Sequence, residues 1–391
     1  MPFAPTSDLS DADHGGAGNL QLMLADLARL VRTESPSSDL EAVRRSARIM
    51  ADLVHERLSR RPEIVDVDGV HHVLLRGADP RVLILGHHDT VWPIGTLDVL
   101  PYLEADGVVR GPGCFDMKLG VVQAVHALAR LVERHGSRAL DRVTLLVTGD
   151  EEVGSTTSRA IIEAEAARCS AALMLEAAGP GGSLKTARKG VSRYDVAVVG
   201  RAAHSGLEPE KGINATIAAA EAVLAIAVLG DAAAGTTVTP TALTSGTSPN
   251  TVPASATFAV DVRATTVDEQ RRVDAAIRGV RPAVDGARID VRGGINRPPM
   301  ERVAAEGLFR RAERIAHDLG HPPLVSVSVG GASDGNFTAG MGVPTLDGLG
   351  AVGGGAHADD EHAEIAWILP RTDLLEALVE EIALEGSTAE R

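Results

Sequence analysis

The chain has 391 residues, which at about 150 residues per domain suggests two domains, and its 44% apolar and 23% charged content is ordinary for a globular protein. Fifty-three acidic against 38 basic residues give a net charge of −15, and there are only nine aromatics. This excludes nucleic acid as an expected partner, because phosphate binding needs a basic surface and single strands need stacking platforms.

In chain order, Met1–Gly18 carries Asp8, Asp11, Asp13 and several glycines and lacks the basic and apolar regions of a signal peptide. It is expected to be a disordered lead (1–18) on a cytoplasmic protein. No apolar run approaches the ~18 residues of a membrane span, so no membrane is expected. Cys114 and Cys169 cannot build a disulfide framework. Helical periodicity runs over Leu20–Val31 and, after the turn Ser35–Asp39, over Leu40–Ser59. Short strands are expected near Ile64–Val67 and Val70–Arg76. Arg81–Leu85, Arg142–Thr148 and Ala171–Leu175 read as buried strands, with helices at Gly120–Arg134 and Ser158–Ala167 between them. Apolar strands alternating with helices predict an α/β fold, a sheet flanked by helices.

The middle of the chain changes character. A strand at Val191–Val199, a helix at Ile213–Leu229, strands at Thr236–Thr244 and Thr251–Arg263, a helix at Val267–Val280 and a strand at Ala287–Arg292 give the order β-α-β-β-α-β, the ferredoxin-like pattern. This predicts an insert, 189–298, in a discontinuous domain made of 19–188 and 299–391. The chain then returns to α/β and ends in a helix, Arg371–Leu384.

The polar residues that stand out follow the ends of the buried strands. His87-His88-Asp89 follows one, Asp150-Glu151-Glu152 the next and Glu176 the third. In an open α/β sheet that edge is where ligands bind. Asp116 opens the long helix, and His357 follows Gly353–Gly355. This donor set of imidazoles and carboxylates suits zinc, cobalt or manganese. It holds more carboxylates than one zinc needs, which a pair of divalent ions would explain.

The segments GHHDTV, GPGCFDMK and TGDEEVGS, with Glu176 and His357, resemble the co-catalytic di-zinc aminoacylase and carboxypeptidase family. That family includes glutamate carboxypeptidases, acetylornithine deacetylase and succinyl-diaminopimelate desuccinylase, and the resemblance runs over nearly the whole chain after residue 20. It implies a zinc-peptidase-like catalytic domain interrupted by a lid through which the protein forms a homodimer. It implies two divalent metal ions, most simply Zn2+, with Co2+ or Mn2+ as substitutes. His87 and Glu176 are the expected ligands of one metal and Glu152 and His357 of the other, with Asp116 bridging them. Asp89 is expected to orient the His87 imidazole. Glu151 is expected to be the general base for a bridging metal hydroxide that attacks an amide carbonyl next to a free carboxylate and releases an amino acid. In the inserted segment, GRAAHSG supplies His204 to stabilise the oxyanion, and Asn250, Arg263 and Arg297 match positions that grip the substrate carboxylate. The expected substrates are dipeptides, as in glutamate carboxypeptidases, or N-acyl amino acids, as in the deacylases. One departure bears on specificity: Ser183 stands where glutamate carboxypeptidases carry a lysine, with Lys185 and Lys189 nearby. A catalytically silent binding or scaffold protein on the same fold is the alternative of another class; it predicts a missing base or bridge, and none is missing.

Overall fold

The computed structural model describes residues 13–385. The chain forms two compact units. One carries the chain up to Ala187, then Arg302–Ser328 and the chain from Ser333 onward; the other is Arg188–Glu301 with Val329–Ala332.

The first unit is built on a six-stranded mixed sheet. Its strands are β1 (Glu63–Val67), β2 (Val70–Leu75), β3 (Val82–His87), β4 (Val143–Thr148), β5 (Ala171–Met174) and, after the second unit, β10 (Thr345–Leu346). They lie in the order β1-β2-β4-β3-β5-β10. β1, β2 and β4 pair antiparallel, whereas β4-β3, β3-β5 and β5-β10 are parallel. Every residue of β3, β4 and β5 is buried, as strands covered on both faces must be. Among the flanking helices, Leu40–Leu58 is capped by Asp39, whose carboxylate accepts the amides of Glu41 and Ala42. Leu119–His135 is buried along most of its first three turns. The final helix, Ile368–Leu384, is largely buried as well.

The second unit holds β6 (Gly190–Val199), β7 (Thr237–Ser245), β8 (Ser255–Ala264) and β9 (Arg288–Arg297), all antiparallel, in the order β7-β8-β6-β9. This is the strand order of the ferredoxin-like pattern. Its strands alternate, because only one face is covered: Tyr194, Val196 and Val198 of β6 and Phe258, Val260 and Val262 of β8 pack with Ala218, Ala222 and Ile226 of the helix Ala215–Ala227 and Val273 and Ile277 of the helix Val267–Gly279.

Two local expectations are corrected. Thr251–Arg263 is not one strand: Thr251–Val252 pairs with Ala203–His204, and β8 starts at Ser255. Pro253 between them has no N–H for a ladder. The expected lead lies outside the described residues as far as residue 12, but its last part belongs to the first helix, Asp13–Val31.

Candidate metal centre

β3 ends on His87, β4 is followed by the turn that carries Glu151 and Glu152, and β5 is followed by Glu176. Because β3 lies between β4 and β5 with all three parallel, their carboxyl ends open on one edge and bring these side chains together. Asp116 comes from the loop before the long helix; its backbone is not helical and the Asp116–Met117 peptide is cis. His357 comes from a turn after three glycines and has a positive φ of 61°.

The geometry is organised around Asp116. His87 Nε2 lies 3.4 Å from Asp116 Oδ1, and His357 Nε2 lies 3.4 Å from Asp116 Oδ2. Each imidazole also faces a glutamate: His87 Nε2 is 3.9 Å from Glu176 Oε1, and His357 Nε2 is 3.3 Å from Glu152 Oε1. His87, Glu151 and Glu176 each offer a donor atom within 4.8 Å of the others, and so do His87, Asp116 and Glu152. Asp116 Oδ1 and Glu152 Oε1 are buried without a hydrogen-bond donor. Buried carboxylate oxygens left this way are costly unless a cation meets them.

The electrostatics agree. Burial alone would raise the Asp116 carboxyl, but the facing imidazoles of His357 and His87 hold it well below the usual carboxylate range. Asp116 and Glu152 in turn raise His357 to about 10. Burial opposes a charge on His87, yet Asp116 and Asp89 raise it well above its ordinary value. Four carboxylates converge on two imidazoles, and the pocket retains positive charge wherever it can. That donor set fits hard or borderline divalent cations.

Asp89 is fully buried, and its role is wider than expected. The His87 Nδ1–H donates to the Asp89 backbone carbonyl at 3.0 Å, which leaves Nε2 facing the carboxylates. The Asp89 carboxylate, 3.5 Å from Nδ1, accepts the Ser37 hydroxyl at 2.6 Å and the amides of Glu151 and Glu152 at 3.2 Å each. It therefore fixes both the histidine strand and the glutamate turn. Asp150 secures that turn from behind by accepting donors from Thr157 and Ser158. His88 faces the other way: its ring nitrogens meet Ser46 and the His71 carbonyl, and burial pushes it down to about 4.

The remaining expected residues belong to the second unit. His204 is exposed, and its Nδ1 accepts the amides of Gly206 and Leu207, so Nε2 carries the hydrogen. Asn250 lies beside it, its carbonyl accepting the Ser205 amide at 3.0 Å. Arg263 and Arg297 both stand opposite Val191, one on each neighbouring strand, and so share a row across the sheet. Arg263 donates two hydrogen bonds to the Asp261 carboxylate. In the first unit, Ser183 is 2% exposed.

Further groups shape the centre, among them Glu361, which fits the family pattern four residues after His357. Glu361 is buried and accepts four N–H donors around the Asp116 loop, a role that its spacing from His357 does not reveal. Asp334 accepts the Ser155 and Thr148 hydroxyls behind the glutamate turn, which no spacing announces. Lys118, pushed down to about 8 by burial, donates to the carbonyls of Leu30 and Thr33 and ties the loop to the first helix.

A mixed α/β sheet whose parallel strand ends gather histidines and carboxylates is suited to hold divalent metal ions, and the family it matches makes the chain a metal-dependent hydrolase of amide bonds. Residues 83–381 match peptidase family M20/M25/M40, and the chain belongs to that family. It is 28% identical over 370 residues to carboxypeptidase G2 of Pseudomonas sp. (strain RS-16), covering 91% of this chain and 88% of that protein. It is 29% identical over 323 residues to the succinyl-diaminopimelate desuccinylase of Rhodospirillum centenum, covering 77% and 81% respectively. Among solved structures, the aminopeptidase PepT of Bacillus cereus matches with a TM-score of 0.72 at 20% identity, covering 93% of this chain and 99% of that one. Among the described residues no helix is long and apolar enough to cross a membrane.

Proposed function

We propose that this hydrolase is a two-metal enzyme that cleaves an amide next to a free carboxylate and releases an amino acid. The observation that carries the reading is the division of Asp116: one oxygen faces His87 and the other faces His357, each imidazole with a glutamate of its own. His87 and Glu176 would hold one divalent ion, Glu152 and His357 the other, and Asp116 both. Zn2+ is the simplest occupant. Such ions polarise a carbonyl and lower the pKa of water.

Glu151 then has the work of moving the proton. Its neighbour Glu152 is given to a metal, while its own carboxylate stays within reach of the His87–Glu176 side. Glu151 takes a proton from the attacking water and returns it to the leaving amine. Asp89 keeps this base in place by holding the amides of both glutamates. His204, with the hydrogen on Nε2, is a donor for the oxyanion of the tetrahedral intermediate. Arg263 and Arg297, in one row, and Asn250 offer donors for the substrate carboxylate. Arg263 shares its guanidinium with Asp261, so the substrate must use the donors that remain.

A second copy of the chain completes the reading. The helix Ala215–Ala227 and its end expose Ile217, Leu224 and Val228 along one face. In a homodimer joined through this unit, His204 serves the site of the other copy. The buried Ser183, uncharged where glutamate carboxypeptidases carry a lysine, supports a preference that is not confined to glutamate.

The test is release of free amino acid from dipeptides and N-acyl amino acids, contrasting acidic, neutral and aromatic residues at the carboxylate end, with and without zinc. Zinc-dependent release from dipeptides supports the carboxypeptidase form. Release from N-acyl amino acids alone supports the deacylase form. No release with two metals bound sinks both.

A further inference from the structure

His357 and Asp116 reach the centre on two separate loops, and neither loop is part of the large sheet. The His357 side chain is 49% exposed, and its turn contains Gly355 at φ 74°. The Asp116 loop departs from helical geometry at both Asp116 and Met117. The bases of the two loops are joined by backbone, because Gly353–Gly354 pairs with His362–Glu364 and His362–Glu364 pairs with Val108–Arg110, but the segments that carry His357 and Asp116 lie beyond that ladder. Four residues after His357, however, Glu361 is only 4% exposed. Its Oε1 accepts the amides of Phe115 at 3.0 Å and Asp116 at 3.1 Å. Its Oε2 accepts the Gly113 amide at 2.9 Å and the Trp92 indole N–H at 2.8 Å. Four donors on two oxygens are the surroundings of an ionised carboxylate, and charge-assisted bonds of this kind are the strong ones. Among the described residues Glu361 makes no ion pair, so these N–H groups are what compensates its burial.

We propose that Glu361 is a positioning residue that locks the His357 loop to the Asp116 loop and thereby creates the metal position between Asp116, Glu152 and His357. This rests on the two-metal reading above. His87 needs no such clamp: it is the last residue of β3, its ring is set by the Asp89 carbonyl, and Glu176 follows the neighbouring strand. Asp116 serves both positions, but only one of them also depends on the His357 loop, so loss of Glu361 weakens that position more than the other. Outer partners of metal ligands set affinity in this way, typically by about 10–100-fold.

The experiment is titration of the metal-stripped full-length protein with Zn2+ against a chromophoric chelator, for the wild type, Glu361→Gln and Trp92→Phe, with circular dichroism as the check of folding. Glutamine keeps one acceptor oxygen but turns an NH2 towards two amides. The wild type takes up two equivalents. Glu361→Gln retains the tighter equivalent within about 3-fold and weakens the other by about 10–100-fold, with activity recovering at high zinc. Trp92→Phe removes one donor of four and weakens the same equivalent by about 5-fold, the scale of one hydrogen bond. Unchanged affinities in Glu361→Gln, or equal loss of both equivalents from a folded protein, overturn the proposal. If Glu361→Gln does not fold, Trp92→Phe decides, and unchanged binding there overturns it. A wild type that binds fewer than two equivalents defeats the two-metal reading itself, whatever the variants do.

Discussion

The two histidines of the centre are held by opposite means. His87 is 1% exposed, the terminal residue of a fully buried strand between two parallel neighbours. His357 stands half-exposed on a glycine-rich turn in a left-handed conformation. The strand-borne half is placed by sheet register and inherits the rigidity of the core. The loop-borne half rests on a short ladder, Gly353–Gly354 with His362–Glu364 and Val108–Arg110, and its tip is then placed by side-chain to backbone hydrogen bonds that can be removed one at a time. The site thus divides into a part that fails only when the fold fails and a part that fails alone.

The largest effect that tests this division is on the base. Glu151→Gln should reduce kcat by about 100- to 10,000-fold with both zinc equivalents still bound, measured by turnover beside metal content. Retained turnover would remove Glu151 from the mechanism. Next, the core should control the strand-borne half. Leu83 on β3 is fully buried, and Leu83→Ala should cost about 2–5 kcal/mol in denaturant unfolding. A smaller pair contrasts one position from each half, since Gly353 and Gly355 on the His357 turn are themselves packed against backbone. A Cβ at Gly86, one residue before His87, would lie 3.0 Å from Met117 Cε, 3.1 Å from Val121 Cγ2 and 3.2 Å from Leu175 Cδ1. One at Gly354 meets only the His362 ring, at 3.4 Å. Gly86→Ala should cost about 1–3 kcal/mol and Gly354→Ala less than about 0.5 kcal/mol. Equal costs would show that the turn at Gly354 is as closely packed as the strand end at Gly86.

The smallest effect is a pH dependence behind the glutamate turn. His72 is buried, which lowers its pKa despite the charges of Asp150, Asp89 and Asp334. Its Nδ1 accepts the Gly149 amide at 3.2 Å and its Nε2 meets Thr157 Oγ1 at 3.1 Å, an arrangement for a neutral ring. The unfolded chain takes up this proton more readily, so the contribution to stability is complete above about pH 6.5 and declines as pH falls below it, at no more than about 1.4 kcal/mol per unit. Melting temperatures at pH 5 and pH 8 should differ less in His72→Gln than in the wild type. An unchanged difference would show that the ring does not titrate on unfolding.

What the sequence disclosed follows the same division. The buried strands were legible because Val82–Leu85, Val143–Val147 and Ala171–Met174 are apolar runs interrupted only by Thr144, and the acidic or imidazole residues after them mark the strand ends. The ferredoxin-like order was legible because strands with one covered face alternate. What escaped lay in loops. The short strands Leu103–Ala105 and Val108–Arg110 have no periodicity to speak of. The break at Pro253 was hidden inside a run of good strand formers. Glu361 could be read as a position but not as an acceptor, since its four donors lie some 250–270 residues away. Hydrogen bonds between distant segments leave no local pattern, and Asp89 could not be seen to hold the glutamate turn for the same reason.

The chain leaves for its second unit and returns from it at adjacent points: the Arg188 amide donates to the Met300 carbonyl at 2.9 Å, and the Met300 amide donates back to Arg188 at 3.0 Å. This matters for the order of assembly. β10 must find β5 across an interval of roughly 170 residues, but once the second unit has closed on itself that interval shortens to roughly 60, which lowers the entropy of closure by about 1 kcal/mol. The interruption in the sequence thus becomes a shortcut in folding, and a chain whose second unit is slow to form should be slow to add the last strand of the first.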